Sequence, residues 1–236
     1  MTRTIGARNA CHVAVALCTT ALGACTSFSS VRNANVAQGP SLFAQANVSS
    51  PPGKQATWFF TLCETVNCNH PIPGGDVNLS FGSVGNRAPP FAVGLAINGV
   101  FPFAGMFPYL EVYVQLRRSP SASGLGVRIG IPMENWSQHQ LYMRFNKRMN
   151  DSSTFLWNPG LVLHTGRSPN GENPGTFLGL VSGFGYEFYE KGVALTPSVS
   201  IVVSHAQHET FSESHGPEVS VFAVGGLSLT FRRRPP

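Results

Sequence analysis

Three groups of residues in this chain carry side chains capable of chemistry. The first is His205-Ala-Gln-His208-Glu209-Thr-Phe-Ser-Glu213-Ser-His215-Gly-Pro-Glu218, which sets three His and three Glu within fourteen residues. Imidazoles and carboxylates ligate zinc and copper and act as general acids and bases. A metal site needs fixed ligand spacing on a rigid scaffold, and this run has neither, so it reads as a solvated loop tip. No metal or cofactor is expected. The second group is Cys63-Glu-Thr-Val-Asn-Cys68. In an oxidising compartment this spacing closes a small-loop disulfide worth about 2 kcal/mol. A metal or redox site there would need more ligands than Glu64 and His70 supply. The third group is Glu111, Arg128, Arg144 and Glu187, with Tyr113, Tyr142 and His164. Each stands singly in an apolar or glycine-rich stretch.

The usual catalytic signatures are missing. There is no Gly-x-Ser-x-Gly elbow, phosphate loop, HExxH pair or dinucleotide fingerprint. The net charge of +5 is concentrated at the ends: Arg3 and Arg8 near the start, and Arg232, Arg233 and Arg234 near the finish. The body between carries 11 Lys+Arg against 11 Asp+Glu. A neutral body lacks the basic face that nucleic acid requires, so no nucleic-acid partner is expected. The terminal arginines read as a solvated tail near anionic lipid headgroups.

The elements that must hold these residues are written in period two. Leu110, Val112, Val114 and Leu116 share one face, against Glu111, Tyr113 and Gln115. Leu125, Val127, Ile129 and Ile131 oppose Gly126, Arg128 and Gly130. Leu141, Met143 and Phe145 oppose Tyr142, Arg144 and Asn146. Phe155, Trp157, Leu161 and Leu163 oppose Asn158, Gly160 and His164. The pattern continues through residues 178–188, 193–203 and 219–231, and upstream through Phe91, Val93, Leu95 and Ile97. Val77, Leu79 and Phe81 begin the series. Glu111, Arg128, Arg144 and Glu187 thus fall on the small, polar face.

These stretches run about 9–13 residues, the length a tilted strand needs to cross a bilayer, whereas soluble strands average about 5–6. Charged residues make up only 11% of the chain, against about 25% in a typical soluble domain. The fold class that follows is all-β: an antiparallel up-and-down transmembrane β-barrel. In a narrow barrel the inward charges form a lumen polar cluster that must pair to be tolerated. Eight strands from Phe91 onward is the preferred count. Nine candidates are visible, and a bacterial single-chain barrel is even-numbered. Ten strands therefore require Val77–Gly82 together with residues 56–62, Ala-Thr-Trp-Phe-Phe-Thr-Leu. The turn at residues 189–192 is tight, while residues 165–175 and 206–217 are long and polar. Short turns face the periplasm and long loops the exterior in such barrels.

Residues 1–24 read as a secretory signal, with a basic start and an apolar stretch over residues 12–21 that is too short to span a bilayer. Leu22-Gly23-Ala24-Cys25 resembles the lipobox of bacterial lipoproteins, which implies lipidation of Cys25; in that family Thr26 fits outer-membrane sorting. An ordinary cleaved leader ending at Gly23 or Ala24 is the alternative. Residues 25–75 are assigned as a periplasmic tether with the small Cys loop, rich in Ser, Asn, Ala and Pro over residues 28–54. Residues 76–231 are assigned as the barrel and 232–236 as a basic tail. Gly226-Leu227-Ser228-Leu229-Thr230-Phe231 resembles the C-terminal signal of bacterial outer-membrane β-barrels, with Arg232–Pro236 as a departure. That resemblance implies outer-membrane residence, contact with outer-membrane lipid, and passage through the barrel-assembly machinery.

The expected function is a small outer-membrane barrel, lipidated, with a structural, adhesive or narrow-transport role. An alternative comes from a likeness to the lipid A deacylase barrels, which set His and Ser on one strand beside an acid. Here His205 and Glu218 match the base and the acid, while Gln207 stands where that pattern has the Ser nucleophile. A third reading is a soluble periplasmic β-sandwich lipoprotein that buries the apolar faces as its core.

Overall fold

A computed structural model describes residues 30–50, 72–85, 88–100, 106–118, 120–131, 136–166, 176–207 and 218–232. Cys25, Cys63, Cys68 and residues 56–62 lie outside them. Within the described residues the chain forms ten strands: β1 (Gly39–Ser49), β2 (Ile72–Ser83), β3 (Phe91–Val100), β4 (Met106–Arg117), β5 (Ser123–Gly130), β6 (Trp136–Arg148), β7 (Ser153–Gly166), β8 (Thr176–Glu190), β9 (Val193–Gln207) and β10 (Glu218–Phe231). Each pairs antiparallel with its chain neighbours, and β1 pairs with β10 in the register Leu42 with Phe231 to Ser49 with Val224, which closes the barrel. Closure leaves no strand edge unpaired.

The count is ten rather than the preferred eight, and the barrel begins at Gly39 rather than at residue 76. Val77–Gly82 lies within β2. The further strand is β1, assigned from sequence to the tether. Its outward positions carry Leu42, the small Ala44 and Ala46, and Val48, while its inward positions are Phe43, Gln45, Asn47 and Ser49. An inward Phe opposite outward alanines hides the alternation that marks the other strands.

The connections divide by end. Residues 84–90, 118–122, 149–152 and 191–192 join strands at one end, where β1 also starts and β10 finishes. Residues 50–71, 101–105, 131–135, 167–175 and 208–217 join strands at the other. The tightest connection is the β8–β9 turn, where Lys191 (φ 48°) and Gly192 (φ 90°) both take the left-handed conformation that a two-residue hairpin turn requires.

The two faces of the wall are inverted relative to a soluble protein. Leu79, Leu95, Leu180 and Val221 point outward, 57–64% exposed. Asp76, Asn78, Glu111, Arg128 and Thr196 point inward and are buried. A sandwich core would bury the outward set, so the sandwich reading does not hold. Two ladders are interrupted at a proline: β6 and β7 pair at Tyr142–Gly160 and again at Phe145–Trp157, with a gap where Pro159 has no N–H to give, and β8 and β9 pair at Gly185–Ser198 and again at Phe188–Leu195, with a gap at Pro197. The first gap sits beside two lumen residues, Arg144 and Asn158.

Candidate functional site in the barrel lumen

The lumen is filled from within by residues 30–38, the nine residues before β1. Val31, Arg32, Asn33 and Ala34 of this segment are buried. Glycines in the wall make room for it. A Cβ on Gly183 or Gly185 would crowd Val31 at 2.7 and 2.9 Å, and one on Gly82 would overlap the Ala37 carbonyl. The segment is tied by its backbone as well: the Arg32 N–H donates to Asn158 Oδ1 at 2.9 Å, and the Val36 N–H to Gln115 Oε1 at 2.9 Å. Tyr113 donates its hydroxyl to the Ala34 carbonyl at 2.8 Å.

At the centre lies Glu111 on β4. Its carboxylate accepts from Arg32 Nη1 at 3.1 Å, Arg128 Nε at 2.8 Å and Arg144 Nη2 at 2.6 Å, and also from the Tyr142 hydroxyl at 2.9 Å and Asn78 Nδ2 at 3.0 Å. Asp76 Oδ2 on β2 accepts from both Arg32 Nη2 and Arg128 Nη2 at 3.0 Å. Three guanidiniums therefore share two carboxylates, and all five side chains are buried. A buried charge deprived of its partner is costly by several kcal/mol, so the five are interdependent. Aromatic rings complete the surroundings. The Arg32 guanidinium lies 4.0 Å from the Phe43 ring centroid, and that of Arg144 lies 4.4 and 4.7 Å from those of Tyr113 and Tyr142. These tyrosines fit because they lean over Gly124 and Gly126, where any Cβ would overlap them.

A second pair stands apart, nearer the short turns. Glu187 accepts from Arg232 Nη2 at 2.6 Å and from Asn33 Nδ2 at 2.7 Å. Toward the long loops the β7–β10 wall turns apolar, with Val162, Val181, Val202, Phe222 and Val224 packed together.

Of the four residues assigned to the lumen from sequence, Glu111, Arg128 and Arg144 meet in one cluster, while Glu187 joins Arg232 instead. Sequence reasoning missed Arg32, Asp76 and Arg232. The sequence puts Arg232 in a solvated tail, whereas its guanidinium folds back to Glu187 and its N–H donates to the Gly192 carbonyl at 3.0 Å. The backbones of His205 and Glu218 are near each other across β9 and β10, where Val219 pairs with His205 and Glu218 with Ala206. Their side chains, and that of His164, lie outside the described residues, as do Cys25, Cys63 and Cys68. Among the described residues no three His, Cys, Asp or Glu side chains converge to hold a metal ion. The arrangement around Glu111 fits locking: each of its five charged groups is ion-paired with another of them.

No family model matches the sequence, and no curated protein matches it. Solved structures that align with it include mutants of the Rhodopseudomonas blastica porin. One, a triple mutant, is 10% identical over 81% of this chain and 99% of the porin chain, with a TM-score of 0.22. A double mutant aligns over the same shares at 8% identity with a TM-score of 0.20.

Proposed function

We propose that this chain is a bacterial outer-membrane β-barrel that its own N-terminal segment keeps closed, with a structural or adhesive role carried by the long connections. The observation that carries this reading is the inversion of the wall: a continuous apolar exterior around a buried, ion-paired interior. Apolar exposure on every strand favours hydrocarbon as the surrounding solvent, and closure satisfies every strand edge there. Polar groups on the exterior help by pairing: the Trp157 indole N–H donates to Ser182 Oγ at 3.0 Å. The even strand count, the start of β1 and finish of β10 at the short-turn end, and the longer connections opposite follow the pattern of outer-membrane barrels. On this reading Cys25 is acylated, Cys63 and Cys68 form a disulfide on the outer side, and the strand ending in Phe231 is what the assembly machinery engages.

The test is gel mobility of the Cys25→Ala protein recovered from outer-membrane fractions, with and without boiling. A protein that stays in the membrane and runs faster unboiled supports the barrel reading. One released without detergent, with the same mobility either way, overturns it. Planar-bilayer recording of the intact protein then separates the closed barrel, which stays silent, from a narrow transporter, which shows steady conductance.

A further inference from the structure

The segment inside the lumen has a direction. The Ala37 carbonyl lies against Gly82, one residue from the short-turn end of β2. Val36 bonds Gln115, two residues from the corresponding end of β4. Arg32 bonds Asn158, five residues into β7, and Ser30 Oγ accepts from Arg128 Nη2 at 2.9 Å, two residues from the long-loop end of β5. From Ser30 to Gln38 the chain therefore descends from mid-barrel to the short-turn end. A cavity beside it in that half, lined by Phe43, Ser80, Ala92, Tyr113 and Arg144 among other described residues, is about 60 Å³. That volume holds a few water molecules and no second length of polypeptide.

We infer that the chain preceding Ser30 leaves through the long-loop mouth, so the mature N-terminal end lies on the same side as the long connections and opposite the C-terminus. Cys25 is five residues before Ser30, within about 17 Å of extended chain. That reach is comparable with half the thickness of a bilayer's hydrocarbon core, about 15 Å. A lipid on Cys25 then lies in the outer leaflet rather than the periplasmic one. The threading stands on the lumen contacts alone, whereas which side is the cell exterior rests on the function proposed above.

Three versions of the full-length protein test this, each carrying one epitope: between Ser27 and Phe28, within residues 167–175, or after Pro236. Antibody staining is compared on intact and permeabilised cells. The expected result is that the first two epitopes stain on intact cells and the third only after permeabilisation. If the first epitope shares the behaviour of the third and not of the second, the chain doubles back and the inference is overturned. If the first two stain only after permeabilisation while the third stains intact cells, the threading stands and the outward orientation proposed above falls. All three on one side overturns both. Should the first insertion abolish the fast unboiled band, Ser27→Cys in a chain carrying Cys63→Ser and Cys68→Ser is probed with a membrane-impermeant maleimide. Labelling that follows the epitope within residues 167–175 and not the one after Pro236 supports the inference, and labelling that follows the one after Pro236 instead overturns it.

Discussion

Replacing Glu111 by Gln keeps the shape of the lumen cluster and removes one of its two negative charges. Arg32 and Arg128 would retain Asp76, each at 3.0 Å, but Arg144 has Glu111 as its carboxylate partner. The substituted amide also turns an NH2 toward donors. Whichever way it points, it faces either Arg128 Nε and Asn78 Nδ2 or the Tyr142 hydroxyl and Arg144 Nη2. Leaving a buried ion unpartnered costs about 3–5 kcal/mol, and the loss here falls in that range. The measurement is urea unfolding of the barrel in lipid vesicles, followed by tryptophan fluorescence, with exposed Glu190→Gln as a control that moves less than about 0.5 kcal/mol. Glu111→Gln combined with Arg144→Met removes both members of the pair. It should recover part of the loss, giving a coupling energy of about 1–3 kcal/mol. A Glu111→Gln protein within about 1 kcal/mol of the parent, or a coupling of zero, would refute the claim that these charges depend on one another.

Three further predictions follow from the wall and its plug. Leu180→Arg on the outward face should cost about 2–4 kcal/mol for the membrane-inserted barrel, and a neutral effect in vesicles would show that this face is not in hydrocarbon. Gly126→Val must push Tyr142 away from Glu111; the same unfolding assay should register a loss of about 1–3 kcal/mol, with Gly85→Ala, where nothing lies within 4 Å, as the silent comparison. Deleting residues 30–37 should turn a silent protein into one that conducts in planar bilayers, with Arg32→Ala showing brief openings; if both remain silent, something other than this segment seals the lumen.

The parts of the fold that were legible in sequence are those where period two is written in large apolar residues. Strands β3 to β10 show it because Leu, Val, Ile and Phe occupy the outward positions and Gly, Ser or a lone charge the inward ones. Strand β1 was hidden for a specific reason: Phe43 faces inward because the Arg32 guanidinium lies over its ring, and Ala44 and Ala46 face outward. Residues 30–38 gave no signal at all, since a segment held by carbonyls, amides and one guanidinium has no period to read. The pairing of Glu111 with Arg128 and Arg144 could be anticipated from parity alone, each standing by itself on a polar face. From sequence, Asp76 marks the boundary of the barrel, and Arg32 and Arg232 fall in the tether and the tail outside it. Their roles depend on a plug and a strand closure that only three-dimensional contacts reveal.

The plug belongs to the same chain as the wall it fills, and only six residues separate Arg32 from the start of β1 at Gly39. In binding terms it is an intramolecular ligand on a short tether, presented to its site at a millimolar-scale effective concentration. A free peptide of the same sequence would have to exceed that level to compete, so capture by another copy's N-terminal segment is disfavoured at ordinary protein densities. The length of that tether is then an adjustable quantity. Each added residue lowers the local concentration only gradually, roughly as the −3/2 power of tether length, so modest insertions before Gly39 would grade the closed fraction rather than abolish it.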